Sequence, residues 1–257
     1  THHKLLMDRM MHPILQQVRN AWKYGYGRGY CELCARQTLF IADGDWYREH
    51  YKCRHCASIP RWRALFHVLE QRFPDWRQRQ IHESSPSARA SSVIEQQCPH
   101  YSASHYYPNR APGEQVGAFQ NQDLEALTLA DHSVDLFITQ DVFDHLFNPQ
   151  RAWQELARVL SPGGAHVFTI PYHPHQASRP RARIVNGQIE HLLAAEYHGN
   201  PVSADGSLVV TDWGHDMIDI IRDCSRLETE IVDLRDQRLG IEGECLEIFI
   251  SYKPRAS

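Results

Sequence analysis

Two Cys-x-x-Cys pairs, Cys31/Cys34 and Cys53/Cys56, carry the most specific chemistry in this chain. A two-residue spacer lets both sulfurs of a pair reach one ion at about 2.3 Å, so two pairs complete a tetrahedral thiolate site. Eighteen residues separate the pairs, a spacing that reads as structural zinc rather than as a redox motif. Other uses of four cysteines stand beside that reading. Paired disulfides would require an oxidising compartment, and no apolar signal segment precedes the cysteines. A four-thiolate iron centre is chemically allowed, because spacing alone does not separate Zn²⁺ from iron. Redox catalysis by one pair would need a thioredoxin-like strand–helix unit, which is not evident here. His50 and His55 lie close in sequence and could replace a thiolate, but four cysteines suffice.

The elements that must position these groups belong to an ordinary globular chain. Its 257 residues are 42% hydrophobic and 23% charged, enough for one substantial core and a small appendage. No stretch approaches the roughly 20 apolar residues that cross a bilayer. The opening Thr-His-His-Lys-Leu-Leu reads as a tag remnant over residues 1–6, with Met7 as the natural start. Cys98, Cys224 and Cys245 are scattered and read as reduced thiols, which points to a cytoplasmic location. Charge is uneven: residues 1–80 carry a balance of +7 and residues 81–257 a balance of −11. A basic first part could draw in a phosphate-bearing substrate or nucleic acid. The simpler account is a solvated helix face carrying Arg61, Arg63, Arg72, Arg77 and Arg79.

Residues 12–23 place Ile14, Leu15, Val18 and Trp22 at helical spacing, and Gly25, Gly27 and Gly29 break that helix. Between the cysteine pairs, Thr38–Ile41 and Trp46-Tyr47 flank Asp43-Gly44, which predicts a hairpin. Pro60 opens a helix whose face is Trp62, Leu65, Phe66, Val68 and Leu69. From residue 79 strands alternate with helices: strands at 79–83, 101–107, 117–119, 134–139 and 166–170, helices at 87–97 and 149–160. A helix at 216–223 and strands at 228–234 and 245–252 complete the pattern. The prediction is an α/β, Rossmann-like, mostly parallel sheet covered on both faces, with an antiparallel C-terminal edge and a small N-terminal zinc-binding module. Residues 7–75 would form the module with its connecting helix and 76–257 the main domain, with a lid or insert over 172–214.

The stretch Asp135-Leu-Phe-Ile-Thr-Gln-Asp-Val-Phe-Asp-His145, followed by Ala152-Trp-Gln-Glu-Leu-Ala-Arg-Val-Leu-Ser-Pro-Gly-Gly164 and Phe168-Thr-Ile-Pro171, resembles the class I S-adenosylmethionine-dependent methyltransferases of the type 11 kind. Glu196-Tyr-His-Gly-Asn-Pro201 with Asp212-Trp-Gly214 is similar to a segment of a bacterial subgroup whose members carry an N-terminal cysteine-pair module. The resemblance implies S-adenosyl-L-methionine as cofactor. Carried over by position, Glu83 matches the acid ending the first strand, with Ser84 and Ser85 after it. Asp123 and Leu124 match the pair beside the adenine, and Gln140 and Asp141 the end of the fourth strand near the methionine part. His145 matches a histidine at the catalytic end, and His173, after the fifth strand with Tyr172 and His175, would lie where an acceptor meets the methyl group.

One departure stands out. The family's first motif is acid-x-Gly-x-Gly, and this chain has Glu83-Ser-Ser-Pro-Ser87. Serine places a side chain where glycine admits close backbone approach. The second strand also ends Ser104-His105-Tyr106 without the family's acid. The expected activity is methyl transfer to an O, N or C nucleophile of a small-molecule, glycan or natural-product acceptor. A non-catalytic scaffold and a nucleic-acid-modifying or nucleic-acid-binding protein remain as alternatives. Asp135 reads as structural. His191, Tyr197 and His198 lie in the insert with no defined metal-ligand spacing.

Overall fold

The structure is a computed structural model that describes residues 15–86, 88–200 and 202–255. The proposed tag remnant and the first residues of the N-terminal helix lie outside the described residues, as does Ser87. The chain divides into two compact units. One comprises the described residues up to His67 with Asp233–Leu246, the other Val68–Val232 with the chain from Glu247 onward.

The first unit starts with helix α1 (residues 15–24). Strand β1 (Tyr26–Cys31) pairs antiparallel with β2 (Arg36–Ala42), which pairs with β3 (Tyr51–Cys53). The predicted Asp43-Gly44 hairpin is wider than a tight turn, because a single helical turn, α2 (Tyr47–His50), is set into it. His50 N donates to Trp46 O at 3.1 Å, so Trp46 and Tyr47 open a helix instead of continuing a strand. Asp43 steadies the return by pairing with His50 Nδ1 and Lys52 Nζ, each at 2.8 Å. Residues Asp233–Leu246 pack into this unit around the buried Arg63, whose guanidinium donates to the carbonyls of Tyr51 and Gly240 at 2.8 and 2.6 Å. A side chain at Gly240, where φ is +66°, would meet the Phe40 ring at 2.6 Å. Helix α3 (Pro60–Arg72) carries the chain from the first unit into the second.

The second unit alternates as expected: β4 (Ile81–Ser84), α4 (Ala88–Gln97), β5 (Tyr101–His105), β6 (Gln115–Val116), β7 (Phe119–Asn121), β8 (Val134–Gln140), α5 (Pro149–Val159) and β9 (Leu160–Thr169). An insert of short strands follows: β10 (Tyr172–His173), β11 (Arg179–Pro180), β12 (Ala182–Val185), β13 (Gln188–His191), β14 (Tyr197–Asn200), β15 (Ser203–Leu208) and β16 (Thr211–Gly214). Helix α6 (Met217–Ser225), β17 (Glu228–Val232) and β18 (Ile248–Tyr252) end it. The main sheet runs β17-β18-β9-β8-β4-β5-β7-β6. Its centre, from β9 to β7, is parallel, and both edges are antiparallel. β8 is buried on both faces along almost its whole length, with Val134, Leu136, Phe137 and Ile138 as its apolar residues, as suits a central parallel strand. Asp135 pins the sheet's lower rim by accepting from Gln80 N at 2.9 Å, a structural role. At the Ser-Pro-Gly-Gly turn, Gly164 lets the Asp135 carbonyl lie 2.8 Å from where a Cβ would be.

Helix α5 shows how sequence sets packing. Asn148 caps it, Pro149 occupies its first turn, and Ala152, Trp153, Leu156 and Val159 face the core. Trp153 is fully buried, stacked on Phe143 with centroids 4.8 Å apart and edge-on to Trp213 at 5.1 Å. Trp153→Ala is expected to cost about 3–5 kcal/mol in chemical unfolding. Trp22→Ala, at a side chain 88% exposed, should change it by less than about 0.5 kcal/mol. Equal effects from the two would contradict this packing.

Candidate functional site

The four cysteines of the first unit converge. Their sulfurs all lie within 4.8 Å of one another, with Cys31–Cys56 at 3.7 Å and Cys34–Cys53 at 3.8 Å. A tetrahedron with sulfurs at about 2.3 Å from its centre has edges of about 3.8 Å, so the donor set fits one ion. A disulfide would need about 2.05 Å, and all four are free thiols. Cys31 and Cys53 end β1 and β3, while Cys34 and Cys56 lie in the turns that follow. Each turn closes on a left-handed alanine, Ala35 (φ 52°) and Ala57 (φ 56°), directly after its second cysteine. Ser58 Oγ lies 3.4 Å from Cys31 Sγ and 3.2 Å from Cys56 Sγ. Burial pushes the Arg63 guanidinium down to about 10, and the neighbouring Cys31, Cys53 and Cys56 draw it back up. His50 is engaged with Asp43 and takes no part in the cluster.

In the second unit the strand order reverses between β4 and β8, and in open α/β sheets ligands bind at such a point, beyond the carboxyl ends of the strands. β4 and β8 end at Ser84 and Gln140, and the loops leaving them begin with Ser85 and Asp141. Glu83 is fully buried beneath them. Its Oε1 accepts from Ser91 Oγ and Gln140 Nε2, and its Oε2 from Tyr101 OH, each at 2.8 Å. Burial raises its pKa and the three donors pull it back down. The carboxylate is thus spent on its neighbours and presents no oxygen to solvent. Gln140 is oriented by this bond, and its Oε1 is buried with no hydrogen-bond partner among the described residues. Asp141, at φ 51°, accepts from Thr169 Oγ1 at 2.9 Å.

Asp123 Oδ1 accepts from Glu125 N at 2.9 Å, closing a turn after β7, and the Leu124 side chain belongs to the apolar core. His145 Nδ1 donates to the Leu208 carbonyl at 2.8 Å. His173 stands exposed on β10 and is not grouped with it. The structure instead gathers His145 with Asp144 and His198. The sequence does not single out Asp144 beside His145, and it places His198 in the insert with His191 and Tyr197 without a metal-ligand spacing. Two further histidines are locked in the sheet: burial pushes His82 down to about 4 and His166 to about 3.

Residues 98–168 match the family described as "Methyltransferase domain". This match covers the second to fifth strands of the parallel array and the helix between the last two. Over these residues the chain is similar to methyltransferase domains. No curated protein sequence matches it. Solved structures similar to it include an S-adenosylmethionine-dependent methyltransferase from Mesorhizobium loti, at 16% identity and a TM-score of 0.49 over 74% of this chain and 97% of that one. A chain of the complex between the Haloferax volcanii Trm112 methyltransferase activator and a putative methyltransferase aligns at 16% identity and 0.49, over 77% and 91%. The 1,6-didemethyltoxoflavin-N1-methyltransferase of Burkholderia thailandensis aligns at 9% identity and 0.45, over 76% and 78%.

The serine-for-glycine departure at the end of β4 takes a definite form. Ser85 stands at the first glycine of the acid-x-Gly-x-Gly pattern and adopts φ 55°, the left-handed region that glycine reaches at no steric cost. Its amide donates to the Ser104 carbonyl at 2.8 Å, which holds the loop over β5. The turn survives although the residue has changed. Glu83→Gln is expected to lower stability by about 1–3 kcal/mol, because an amide cannot accept from all three donors. Tyr101→Phe, removing one donor, should cost less. Thermal melts of the two variants compare them, and an unshifted Glu83→Gln would show that the buried carboxylate is not holding these elements.

Proposed function

We propose that the protein transfers the methyl group of S-adenosylmethionine to an oxygen, nitrogen or carbon nucleophile of a small-molecule, glycan or natural-product acceptor, while a structural zinc ion holds its first unit together. The observation that carries the reading is the left-handed backbone at Ser85, at the switch point, in the register of the family's first glycine. The orphaned Oε1 of Gln140 supports it, since a buried acceptor without a donor fits a ligand that brings one. When bound, the cofactor supplies an electrophilic sulfonium methyl and its own leaving group. Ser84 and Ser85 would hold it from the β4 side, and Gln140 and Asp141 from the β8 side. Glu83 acts through Gln140, as a positioning residue that sets the amide's direction. The remaining task of the chain is alignment and exclusion of water, with a base required only where the acceptor must lose a proton.

Zinc in a site closed by four thiolates has no open position, so its role is folding. Arg63, buried beside the sulfurs, offsets part of the negative charge that four thiolates place around a divalent ion. A scaffold without catalysis is the competing reading, favoured by the full engagement of Glu83 with its own neighbours.

Calorimetric titration with S-adenosylhomocysteine separates the two. Binding is expected, and Ser85→Gly should bind at least as tightly while gaining about 0.5–1 kcal/mol of stability from relief of the left-handed serine. Absence of binding at saturating ligand in both proteins would establish the scaffold. For the metal, elemental mass spectrometry should find one zinc per chain, lost in Cys53→Ala together with amide protection of β1–β3. Iron in its place, or protection that outlasts chelation, would overturn the structural-zinc assignment.

A further inference from the structure

We propose that Asp144, His145 and His198 form a second metal site in the protein, one that binds a divalent first-row transition cation through two imidazoles and a carboxylate. Asp144 and His145 lie in the short turn Phe143–His145 that leaves β8, at the carboxyl end of the sheet. His198 comes from β14 in the insert. The insert is fastened to this turn by three hydrogen bonds: Val210 N to Asp144 O at 2.7 Å, His145 Nδ1 to Leu208 O at 2.8 Å and Trp213 Nε1 to Phe143 O at 3.2 Å. Tertiary structure therefore brings together residues more than fifty positions apart and holds them in place.

The donor geometry suits one ion. Asp144 Oδ2 lies 3.4 Å from His145 Nε2 and 3.1 Å from His198 Nδ1, and the three donor atoms all fall within 4.8 Å of one another. Ligands at about 2.0–2.1 Å from a tetrahedral ion are separated by about 3.3 Å. Protonation geometry points the same way. A carbonyl only accepts, so His145 Nδ1 carries the hydrogen in its bond to Leu208, and in the neutral ring Nε2 turns a lone pair toward the Asp144 carboxylate. Two electron-rich groups at that separation repel, whereas a cation between them attracts both. A ligating histidine that donates its other ring N–H to a backbone carbonyl is the usual arrangement at metal sites.

The Asp144 side chain is 2% exposed, and the groups its carboxylate faces are the two imidazoles, His198 Nδ1 at 3.1 Å and His145 Nε2 at 3.4 Å. Buried charges are paired or coordinate metals. On the far side of the His198 ring, Nε2 faces Glu196 Oε1 at 3.6 Å, which leaves Nδ1 for the ion. His145 and His198 are 16% and 34% exposed, so the fourth side of the site opens outward. Nitrogen and oxygen donors with an open position suit zinc, iron(II) or manganese, in contrast to the closed set of four sulfurs in the first unit. At the carboxyl end of β8, that open position could take an oxygen of the methyl acceptor. This last step rests on the methyl-transfer reading, and the site itself does not.

Zinc is titrated into the full chain without cofactor, read by calorimetry and native mass spectrometry. Uptake of one ion beyond that held by the cysteines is expected, weakened about tenfold or more in His198→Ala and in Asp144→Asn. His198 is partly exposed, so His198→Ala decides the matter even if Asp144→Asn fails to fold. Circular dichroism checks that each variant keeps its fold. No further uptake by the unaltered protein would overturn the proposal. Uptake of undiminished affinity in His198→Ala would do the same, as a surface ion only. Because no cofactor is present, failure of methyl transfer would leave this result standing.

Discussion

Four elements of the large sheet region meet at one buried anion. Glu83 on β4 accepts from Tyr101 on β5, Gln140 on β8 and Ser91 on α4, so the two strands flanking β4 and the helix after it are keyed to a single carboxylate. Leaving such a charge unpaired away from water costs several kcal/mol, and three donors at 2.8 Å remove that penalty only if every element arrives in register. The loop at Ser85, the direction of the Gln140 amide and the end of β8 are all set relative to it. The carboxyl end of the sheet at the switch point is in this sense built around a group that faces inward.

The first unit has its own organising interaction of the same kind. Four sulfurs drawn to within 4.8 Å would repel one another as thiolates, and the proposed divalent ion would convert that repulsion into an attraction that closes the unit. Arg63 extends the effect. With its stem and guanidinium buried over the Phe40 ring at 4.5 Å, it hydrogen-bonds Tyr51, Ser58 and Gly240. One cation thereby ties the second cysteine turn to a segment from near the end of the chain.

Much of this was legible beforehand because it is local. The helix α5 announced itself by an apolar face of Trp153, Leu156 and Val159, β8 by the apolar run Leu136-Phe137-Ile138, and the cysteine pairs by a spacer that geometry restricts. The small helix α2 was not legible, since Trp46-Tyr47 has the composition of a strand and only an i to i+4 hydrogen bond makes it helical. Nor was the place of Asp233–Leu246, whose binding groups are mostly backbone carbonyls that leave no mark on side-chain pattern. His173 was expected near the reacting centre because it follows the fifth strand. The structure leaves it exposed and brings up His198 from a strand that periodicity does not reveal.

By itself the sequence determined which groups could do chemistry: four cysteines at knuckle spacing, an acid at a strand end, and a serine loop where glycine would be expected. It also determined the order of strands and helices in the parallel array, since hydrophobic period and capping act over a few residues. Only the tertiary structure decided what those groups face. It turned Glu83 inward to three donors, kept the glycine-like backbone at Ser85, and set Asp144 and His145 against His198 across more than fifty residues of chain. The direction of a buried side chain is settled by long-range packing and by the cost of an unpaired polar group, and neither can be read from neighbours along the chain.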